Sequence, residues 1–281
     1  MLHSADTLSR KIEEAIRKIP FDMKPVTLYE PIRYALSVGG KRIRPMLVLL
    51  ATDMFGQEIE VSVKPAIGIE IFHNFTLLHD DLMDNSDMRR GMPTVHKKWD
   101  ASTAILSGDA MLIESYKYVA SVPPAVLPEI MSLFSKTAME VCQGQQLDMD
   151  FEKRTDVSES EYLEMIMLKT AVLLACSLKV GALLAGASPH DAELLYNFGI
   201  NIGLAFQLKD DLLDVYGDAK TFGKNIGGDI VSNKKTYLLI KALKTAGDGQ
   251  RTELLKWISA EKFDKNEKIE SVKNIYNDLN L

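Results

Sequence analysis

The chain has 281 residues, of which 46% are hydrophobic and 26% are charged, and its formal net charge is −6 at pH 7. This composition supports a globular protein with a substantial core, and the acidic balance without any Lys- or Arg-rich block argues against nucleic acid or an anionic membrane as the main partner. Cys142 and Cys176 have no metal-ligand spacing, which favours a reducing cytoplasm over a disulfide-built secreted domain.

Apolar residues recur at intervals of three and four, and Gly or Pro separates the repeats, which predicts an all-α fold. Strand signals are weak throughout. No linker or charge block divides residues 1–281, so we expect a single domain built as a bundle of about ten or more helices. In chain order, the predicted helical spans are 4–18, 29–38, 44–56, 60–88, 99–120, 124–150, 158–186, 188–217, 233–245, 250–259 and 265–279.

The sequence predicts neither a signal peptide nor a membrane span. The first twenty residues carry scattered charges and lack the apolar segment of a signal peptide. The longest apolar run, Ala66–Leu78, contains His73 and is followed by His79 and several aspartates, so it falls short of the length of a span.

The loop between the second and third predicted helices is basic. Gly39-Gly40 stops one helix, and Pro45 starts the next. Three cations lie between these signals: Lys41, Arg42 and Arg44. A glycine-flanked loop of this kind can bind an anion, and a solvated basic turn is the alternative.

A cluster of aspartates follows the longest apolar run. On a helix, Asp80 and Asp84 lie one turn apart on the same face with Asp81 alongside, so their like charges repel. A hard divalent cation, which prefers oxygen ligands, would turn this repulsion into a binding site. Because Arg89 and Arg90 follow within little more than one turn, acidic and basic groups share one neighbourhood.

A second aspartate cluster closes the apolar run Tyr196–Leu208 near the other end of the chain. It consists of Asp210, Asp211 and Asp214. Two aspartate clusters that end two apolar helices predict one cavity with a metal-binding rim.

Two polar sites interrupt the helices between these clusters. Gln145 and Asp148 lie three residues apart on one helical face, and this face points either to solvent or to the cavity. Lys169-Thr170 interrupts the apolar stretch Met165–Leu178, so Lys169 either extends to solvent or points at an anion. After the second cluster, the glycines around Lys224 predict a closable loop, with a plain connector as the alternative.

Acidic clusters beside Lys and Arg predict a polyphosphate ligand, because magnesium can bridge its oxygens to aspartates while the cations bind the remaining oxygens. No P-loop, Rossmann glycine fingerprint or kinase signature makes this ligand a nucleotide. No nucleophile constellation is present either. The predicted chemistry is therefore metal-assisted departure of a diphosphate above an apolar cavity that shelters a cation from water, which describes ionisation of an allylic diphosphate.

From Gly39 to about Lys235 the chain resembles the trans-isoprenyl (polyprenyl) diphosphate synthases of the farnesyl and geranylgeranyl type. Six separated motifs in the family's order carry the resemblance, at residues 39–44, 80–91, 140–150, 169–170, 206–217 and 221–236. The resemblance implies an all-α homodimer with the active site in a central cavity inside each subunit. It also implies condensation of isopentenyl diphosphate with allylic diphosphates, with three Mg²⁺ ions per site and Mn²⁺ as an alternative.

The resemblance further implies roles for individual residues. Magnesium would be bound by Asp80, Asp84 and Asp210, with Asp81, Asp211 and Asp214 ligating or supporting. The allylic diphosphate would contact Arg89, Lys169 and Lys224. Isopentenyl diphosphate would contact Lys41, Arg44, His73 and Arg90. The remaining matches are Thr170 and Gln207 facing the carbocation, Gln145 and Asp148 supporting the metal site, and Phe206 and Lys234 at the cavity.

Product length is predicted from the position five residues before the first aspartate. Phe75 lies about 7.5 Å from Asp80 along a helix, where a bulky ring can form the floor of the cavity. By resemblance this is the pattern of a short-chain enzyme, and Thr76 lacks the second aromatic ring of the tightest farnesyl synthases. We expect C15–C20 products, with geranylgeranyl diphosphate slightly favoured, and ordinary core packing is the alternative role for Phe75.

Two other functions and one question of length are left open. A terpene cyclase also ionises diphosphates, but it typically pairs one aspartate motif with an Asn/Ser/Glu motif. A non-catalytic subunit of a heteromeric synthase tends to lose aspartates, and this chain keeps all six. Family members usually carry further helix beyond the position of Leu281, so the chain is either shortened or a compact member.

Overall fold

The computed structural model describes residues 2–217 and 226–281. Within these residues the regular structure is almost entirely helical, which confirms the all-α prediction. The α-helices are α1 Ala5–Arg17, α2 Val26–Ser37, α3 Ile43–Met54, α4 Glu60–Met83, α5 Val95–Lys98, α6 Ala101–Val119, α7 Leu127–Glu152, α8 Glu159–Ile166, α9 Val172–Leu184, α10 Pro189–Tyr216, α11 Gly228–Val231, α12 Tyr237–Thr245, α13 Asp248–Ser259 and α14 Lys265–Asp278.

A hairpin that the sequence analysis did not predict follows α4. The predicted span 60–88 is too long, because α4 ends at Met83 and Asn85 adopts a left-handed conformation with φ 49°. Strands β1 (Met88–Arg89) and β2 (Met92–Pro93) then pair in antiparallel fashion. Arg90 and Gly91, with φ 51° and 76°, form the two-residue connection that suits a tight hairpin.

The predicted helix 158–186 is interrupted. A π-helical segment, Met167–Ala171, lies between α8 and α9 and carries Lys169 and Thr170. Such segments occur frequently at functional sites. Gly144 of α7 permits the close approach of this segment, because an added Cβ there would lie 2.2 Å from the Lys169 backbone nitrogen.

The chain forms two compact units. The first comprises Met1–Thr137 and Leu173–Gly199, and the second comprises Ala138–Val172 and Ile200–Leu281. Helices α7 and α10 contribute residues to both units. The single-domain interpretation of the sequence stays a prediction.

In the first unit, α4 is buried along most of its apolar run and packs against α3 and α6. Its contact with α6 is close, since a Cβ added at Gly68 would lie 2.7 Å from Cγ2 of Val119. Ile67, Ile69 and Ile71 are at most 2% exposed. This packing fixes the direction of α4, and therefore the place where its last turn presents the first aspartates.

In the second unit, two apolar clusters position the end of α10 and the segment between α11 and α12. Tyr162 and Phe151 lie at the centre of one cluster. Trp257 and Tyr276 belong to the other, which joins α12, α13 and α14.

One continuous helical stretch, Glu159–Leu184, is long and apolar enough by length and composition to cross a membrane. The expectation that no apolar run reaches the length of a membrane span is therefore wrong by length and composition. However, 78% of the apolar window in Glu159–Leu184 is buried within the protein, as in the core helix of a globular fold.

Candidate active site

The first aspartate cluster lies at the end of α4. Asp80 and Asp81 belong to its last turn, and Asp84 caps it. The Asp81 side chain is buried, and its two carboxylate oxygens accept hydrogen bonds from Arg89 Nε, both at 2.8 Å, while Arg89 Nη2 lies 2.7 Å from Asp81 Oδ1. Burial raises the pKa of Asp81, although Arg89 opposes the shift. Asp81 therefore anchors Arg89 and with it the hairpin.

The four residues matched to the isopentenyl diphosphate site lie around the loop before α3. We call Lys41, Arg44, His73 and Arg90 the basic cluster. Arg44 Nη1 lies 3.1 Å from His73 Nε2, and Arg90 Nη1 donates to the carbonyl oxygen of Gly39. Lys41 is exposed beside that glycine.

The electrostatics of the basic cluster favour an anion. Burial lowers the pKa of Arg44 to about 10, with Glu70 opposing and Arg90 adding to the shift. Burial and the neighbouring arginines hold the pKa of His73 well below its usual value, so the imidazole is neutral at pH 7. Nε of Arg44 is enclosed and has no hydrogen-bond partner in the described residues. An anionic ligand would supply the missing acceptor.

Arg42 has a different role from the cations on either side of it. Its side chain is 3% exposed, and its Nη1 lies 2.7 Å from the equally buried carboxylate of Glu70. It also donates to Glu13 at 3.1 Å and to the carbonyl oxygen of Leu36 at 2.6 Å. Arg42 is therefore a structural tie, so the solvated basic turn considered for this loop does not describe it.

We expect Arg42→Met to lower the free energy of unfolding by about 3–5 kcal/mol, because it leaves the Glu70 carboxylate buried without its counter-ion. Urea denaturation of the purified variant measures the change. Glu13→Gln, which removes the more exposed partner, serves as the control and should cost about 1 kcal/mol or less. An unchanged urea midpoint for Arg42→Met would mean that Glu70 does not depend on this pair.

The second aspartate cluster lies in the last turns of α10. Asp211 is 3% exposed and accepts hydrogen bonds from Tyr162 Oη at 2.5 Å and from Gln207 Nε2 at 2.9 Å. Oε1 of Gln207 accepts from Thr170 Oγ1 at 3.1 Å. Burial raises the pKa of Asp211, while Tyr162 and Gln207 oppose the shift. Both carboxylate oxygens of Asp211 thus accept a hydrogen bond, and the network joins Tyr162, Asp211, Gln207 and Thr170.

Lys169 and Asp148 form an ion pair beside this network. Nζ of Lys169 lies 2.6 Å from Asp148 Oδ2, and both side chains are largely buried. Burial acts to raise the pKa of Asp148, but Lys234 and Lys169 together lower it. An open cavity is lined by these three residues and by Thr170, Gln207 and Asp211.

Other predicted site residues lie near the second cluster. Asp214 Oδ2 accepts from the backbone N–H of Asp229 at 3.0 Å, which ties the end of α10 to α11. Gln145 is half-buried on α7, one turn before Asp148, and Phe206 is 44% exposed on α10. Lys224 lies outside the described residues.

Phe75 and Thr76 lie on α4 within the first unit. Phe75 is buried, and its ring centroid lies 4.8 Å from the ring of His79 and 5.6 Å from that of Phe72. Thr76 Oγ1 donates to the backbone carbonyl of His73 at 2.8 Å. Phe72 in turn packs edge-on against Phe134 at 5.3 Å, so a row of aromatic rings continues below Phe75.

Sequence reasoning missed three residues that shape these clusters: Arg42 as a structural residue, Glu70 and Tyr162. Glu70 carried a detectable signal, because it is the lone carboxylate inside the run Ala66–Leu78. Tyr162 carried none, since a tyrosine in an amphipathic helix is ordinary core composition.

The donor set fits a hard divalent cation. Asp80 and Asp84 lie one turn apart at a helix end, and carboxylate oxygen is the ligand that magnesium prefers. The carboxylate oxygens of Asp81 already accept from Arg89, and those of Asp211 accept from Tyr162 and Gln207. Within residues 2–217 and 226–281, no three His, Cys, Asp or Glu side chains already converge as a metal-binding group.

Comparisons with known proteins identify the family. The sequence profile of the polyprenyl synthetase family matches residues 25–279. A geranylgeranyl diphosphate synthase of Methanosarcina mazei is 43% identical over 238 residues, which cover 84% of this chain and 74% of that protein. A crystal structure of a geranylgeranyl pyrophosphate synthase aligns with a TM-score of 0.94 at 46% identity, over 99% of this chain and 86% of that one. A polyprenyl synthase of Caulobacter crescentus CB15, complexed with calcium and isoprenyl diphosphate, aligns with a TM-score of 0.86 at 28% identity, over 99% and 87%.

The fold is that of the all-α isoprenyl synthases. The chain belongs to the polyprenyl synthetase family, and it is an enzyme of the prenyltransferase class. The family, fold class and enzyme class predicted from the motifs are thereby confirmed. The roles of individual residues, the metal ion and the oligomeric state stay predictions.

Proposed function

We propose that this prenyltransferase condenses isopentenyl diphosphate head to tail with an allylic diphosphate and releases a trans product of C15–C20, with geranylgeranyl diphosphate favoured. One observation carries the proposal: each aspartate cluster lies beside cations that suit a diphosphate, Arg89 at the first and Lys169 at the second. The geranylgeranyl diphosphate synthase from Methanosarcina mazei supports the chain length.

We assign the metal ligands as follows. Asp80, Asp84 and Asp210 would hold Mg²⁺, three ions per site with Mn²⁺ as an alternative, and Asp214 would support them through the α11 backbone. When bound, magnesium supplies Lewis-acid stabilisation to the departing diphosphate. The relative solved with calcium and isoprenyl diphosphate supports a divalent cation at this kind of site.

The cations of the chain hold the two diphosphates. Arg89, oriented by Asp81, and Lys169, oriented by Asp148, bind the allylic diphosphate together with Lys224. Lys234 lines the cavity, whereas Phe206 is not among the residues that line it and stays a predicted cavity position. The basic cluster binds isopentenyl diphosphate, and Arg44 presents its unpartnered Nε while neutral His73 adds no further positive charge. Correct placement of the two substrates removes much of the entropic barrier to their reaction.

The network around the π-helical segment faces the developing carbocation. Because Gln207 Nε2 is bonded to Asp211, its Oε1 is held on the side of Thr170, and the two oxygens stabilise positive charge nearby. The isopentenyl double bond attacks the cation, and a proton then leaves to the released diphosphate. No side-chain base is required.

The direct test is incubation of the protein with magnesium, isopentenyl diphosphate and each of the C5, C10 and C15 allylic diphosphates, followed by sizing of the products. Prenyl diphosphates of C15–C20 are expected. A cyclic hydrocarbon from a single diphosphate would instead identify a terpene cyclase. Absence of product with every pairing would identify a non-catalytic subunit.

We expect Phe75→Ala to lengthen the product by at least one C5 unit, because it opens the predicted floor as far as the next rings, Phe72 and Phe134. Chromatography of the dephosphorylated products measures the length. Phe21→Ala removes an equally buried ring that stacks on Tyr29, so it matches the stability cost of about 3–5 kcal/mol without opening the floor. An unchanged distribution for Phe75→Ala would assign this ring to core packing.

We also propose a cytoplasmic homodimer. Within the part of the chain that the structure describes, neither Cys142 nor Cys176 is in a disulfide, as suits a reducing compartment. On α6, Leu106 and Ile113 lie two turns apart on one face and are 60% and 62% exposed, and an apolar face of this kind is a candidate protein–protein interface.

The double variant Leu106→Lys/Ile113→Lys is expected to sediment at half the mass of the parent enzyme, because the added charges would oppose each other across a two-fold interface. Analytical ultracentrifugation measures this change. Val26→Lys, another exposed apolar position, is the control. A dimer that persists in the double variant would place the interface elsewhere.

A further inference from the structure

Lys268 is a buried lysine that the proposed chemistry does not use. It is 1% exposed on α14, and the described residues include no carboxylate within ion-pair distance of its ammonium group. Nζ of Lys268 instead donates to Asn233 Oδ1 at 2.7 Å and to the carbonyl oxygen of Val231 at 3.2 Å, and it lies 4.2 Å from the ring centroid of Phe263. Burying a cation without a counter-ion is costly, and these two acceptors replace part of the hydration that the ammonium group loses.

Both acceptors belong to the turn that ends α11. Asn233 has a left-handed backbone with φ 58°. Its N–H bonds the carbonyl oxygen of Ile230 at 3.2 Å, and the N–H of Lys234 bonds that of Asp229 at 2.9 Å. This pair of bonds is the Schellman arrangement, in which glycine normally occupies the left-handed position. Here an asparagine occupies it, and its side chain makes contacts that a glycine could not make.

The side chain of Asn233 is held at both ends. Its Oδ1 accepts from Lys268, and its Nδ2 donates to the carbonyl oxygen of Ile258 at 3.0 Å, at the end of α13. Nζ of Lys235, also buried, donates to the Asn233 carbonyl oxygen at 3.0 Å. The turn is therefore tied to both α13 and α14, which fixes the direction in which the next residue leaves it.

That next residue is Lys234, which lines the cavity with Asp148, Lys169 and Asp211. A small rotation at Asn233 would swing Lys234 away from these groups. We propose that Lys268 is a positioning residue for the reaction: through Asn233 it holds the left-handed turn that directs Lys234 into the cavity. This inference rests on the proposed function, in which Lys234 lines the cavity that receives the allylic diphosphate.

The test compares Lys268→Met with Asn233→Gly and with the double variant. Methionine keeps the apolar stem of the lysine, and glycine adopts the left-handed turn without side-chain support. Lys268→Met is expected to lower kcat/KM by about 10- to 100-fold, the cost of misplacing a binding group by about 1 Å. The double variant is expected to recover to the level of Asn233→Gly alone. Lys265→Met, exposed on the same helix, is the control.

A second measurement does not depend on activity. Amide hydrogen exchange at Lys234, whose N–H bonds Asp229, is expected to accelerate in Lys268→Met and to return to the parent rate in the double variant. If exchange at Lys234 changes in this way although the parent enzyme makes no product, the proposed function is wrong but Lys268 still holds the turn. Unchanged exchange at Lys234, or a loss of activity that Asn233→Gly does not repair, would overturn the role of Lys268.

Discussion

Asp80→Asn is expected to lower kcat/KM by about 10²–10³-fold, the loss typical when one electrostatic contact to developing charge is removed. Asp80 and Asp84 share one face at the end of α4, whereas Asp81 is already committed to Arg89. The amide keeps the shape of the carboxylate but supplies no negative charge for a divalent cation. The magnesium concentration that gives the half-maximal rate should therefore rise as well.

The matched control for this substitution is Asp87→Asn. Asp87 lies three residues beyond Asp84, is exposed, and pairs with Lys97 at 3.0 Å. The same chemical change there should leave kcat/KM within about twofold, since an exposed pair contributes about 1 kcal/mol or less. Initial rates over a magnesium series measure both variants. Equal effects of the two substitutions would exclude a specific metal role for Asp80.

The long helices could be predicted from the sequence because burial imposes a pattern on many residues at once. α4 and α10 each present an apolar run that ends in aspartates, and each begins within a few residues of its predicted first residue. The hairpin after α4 could not be predicted in this way. Its strands have two residues each, and its turn depends on the positive φ of Arg90 and Gly91.

The residue types of the site could be predicted from the sequence, but the different contacts that similar residues make could not. Lys41, Arg42 and Arg44 look alike in the sequence, yet a buried carboxylate 28 residues further along, Glu70, makes Arg42 structural. Asp81 and Asp211 likewise look equivalent to their neighbours in the sequence. In the structure, Arg89 donates hydrogen bonds to Asp81, and Tyr162 donates one to Asp211. Such long-range partners leave no local pattern, so only the packed structure shows which carboxylate oxygens already have partners.

The interruption of the helix after α8 shows the same limit. Residues 158–186 have the composition of one buried helix, and the sequence gives no sign of where it widens into a π-helical segment. The close approach of Gly144 to Lys169 accompanies the change, and Lys169 meets Asp148 there. The position of Lys169 beside Asp148 thus accompanies a backbone irregularity that periodicity cannot detect.

Arg44→Met is expected to raise the KM for isopentenyl diphosphate by about 10- to 150-fold, because hydrogen bonds to a charged group contribute about 1.5–3 kcal/mol. The KM for the allylic diphosphate should change little. The thermal midpoint should stay constant or rise, since Arg44 is a buried cation whose pKa falls to about 10 and whose Nε has no partner in the described residues. Substrate-saturation kinetics and calorimetry measure the two effects.

The opposite signs of these effects separate binding from structure. Truncation of a structural arginine lowers the stability of the protein, as expected for Arg42. Truncation of a buried arginine that serves binding removes a desolvated cation, so the protein becomes more stable but binds its substrate less tightly. Arg33→Met, at an exposed arginine paired with Asp22, controls for the loss of one surface charge. If Arg44→Met lowered the thermal midpoint and left the KM for isopentenyl diphosphate unchanged, Arg44 would belong with Arg42 as a tie within the fold.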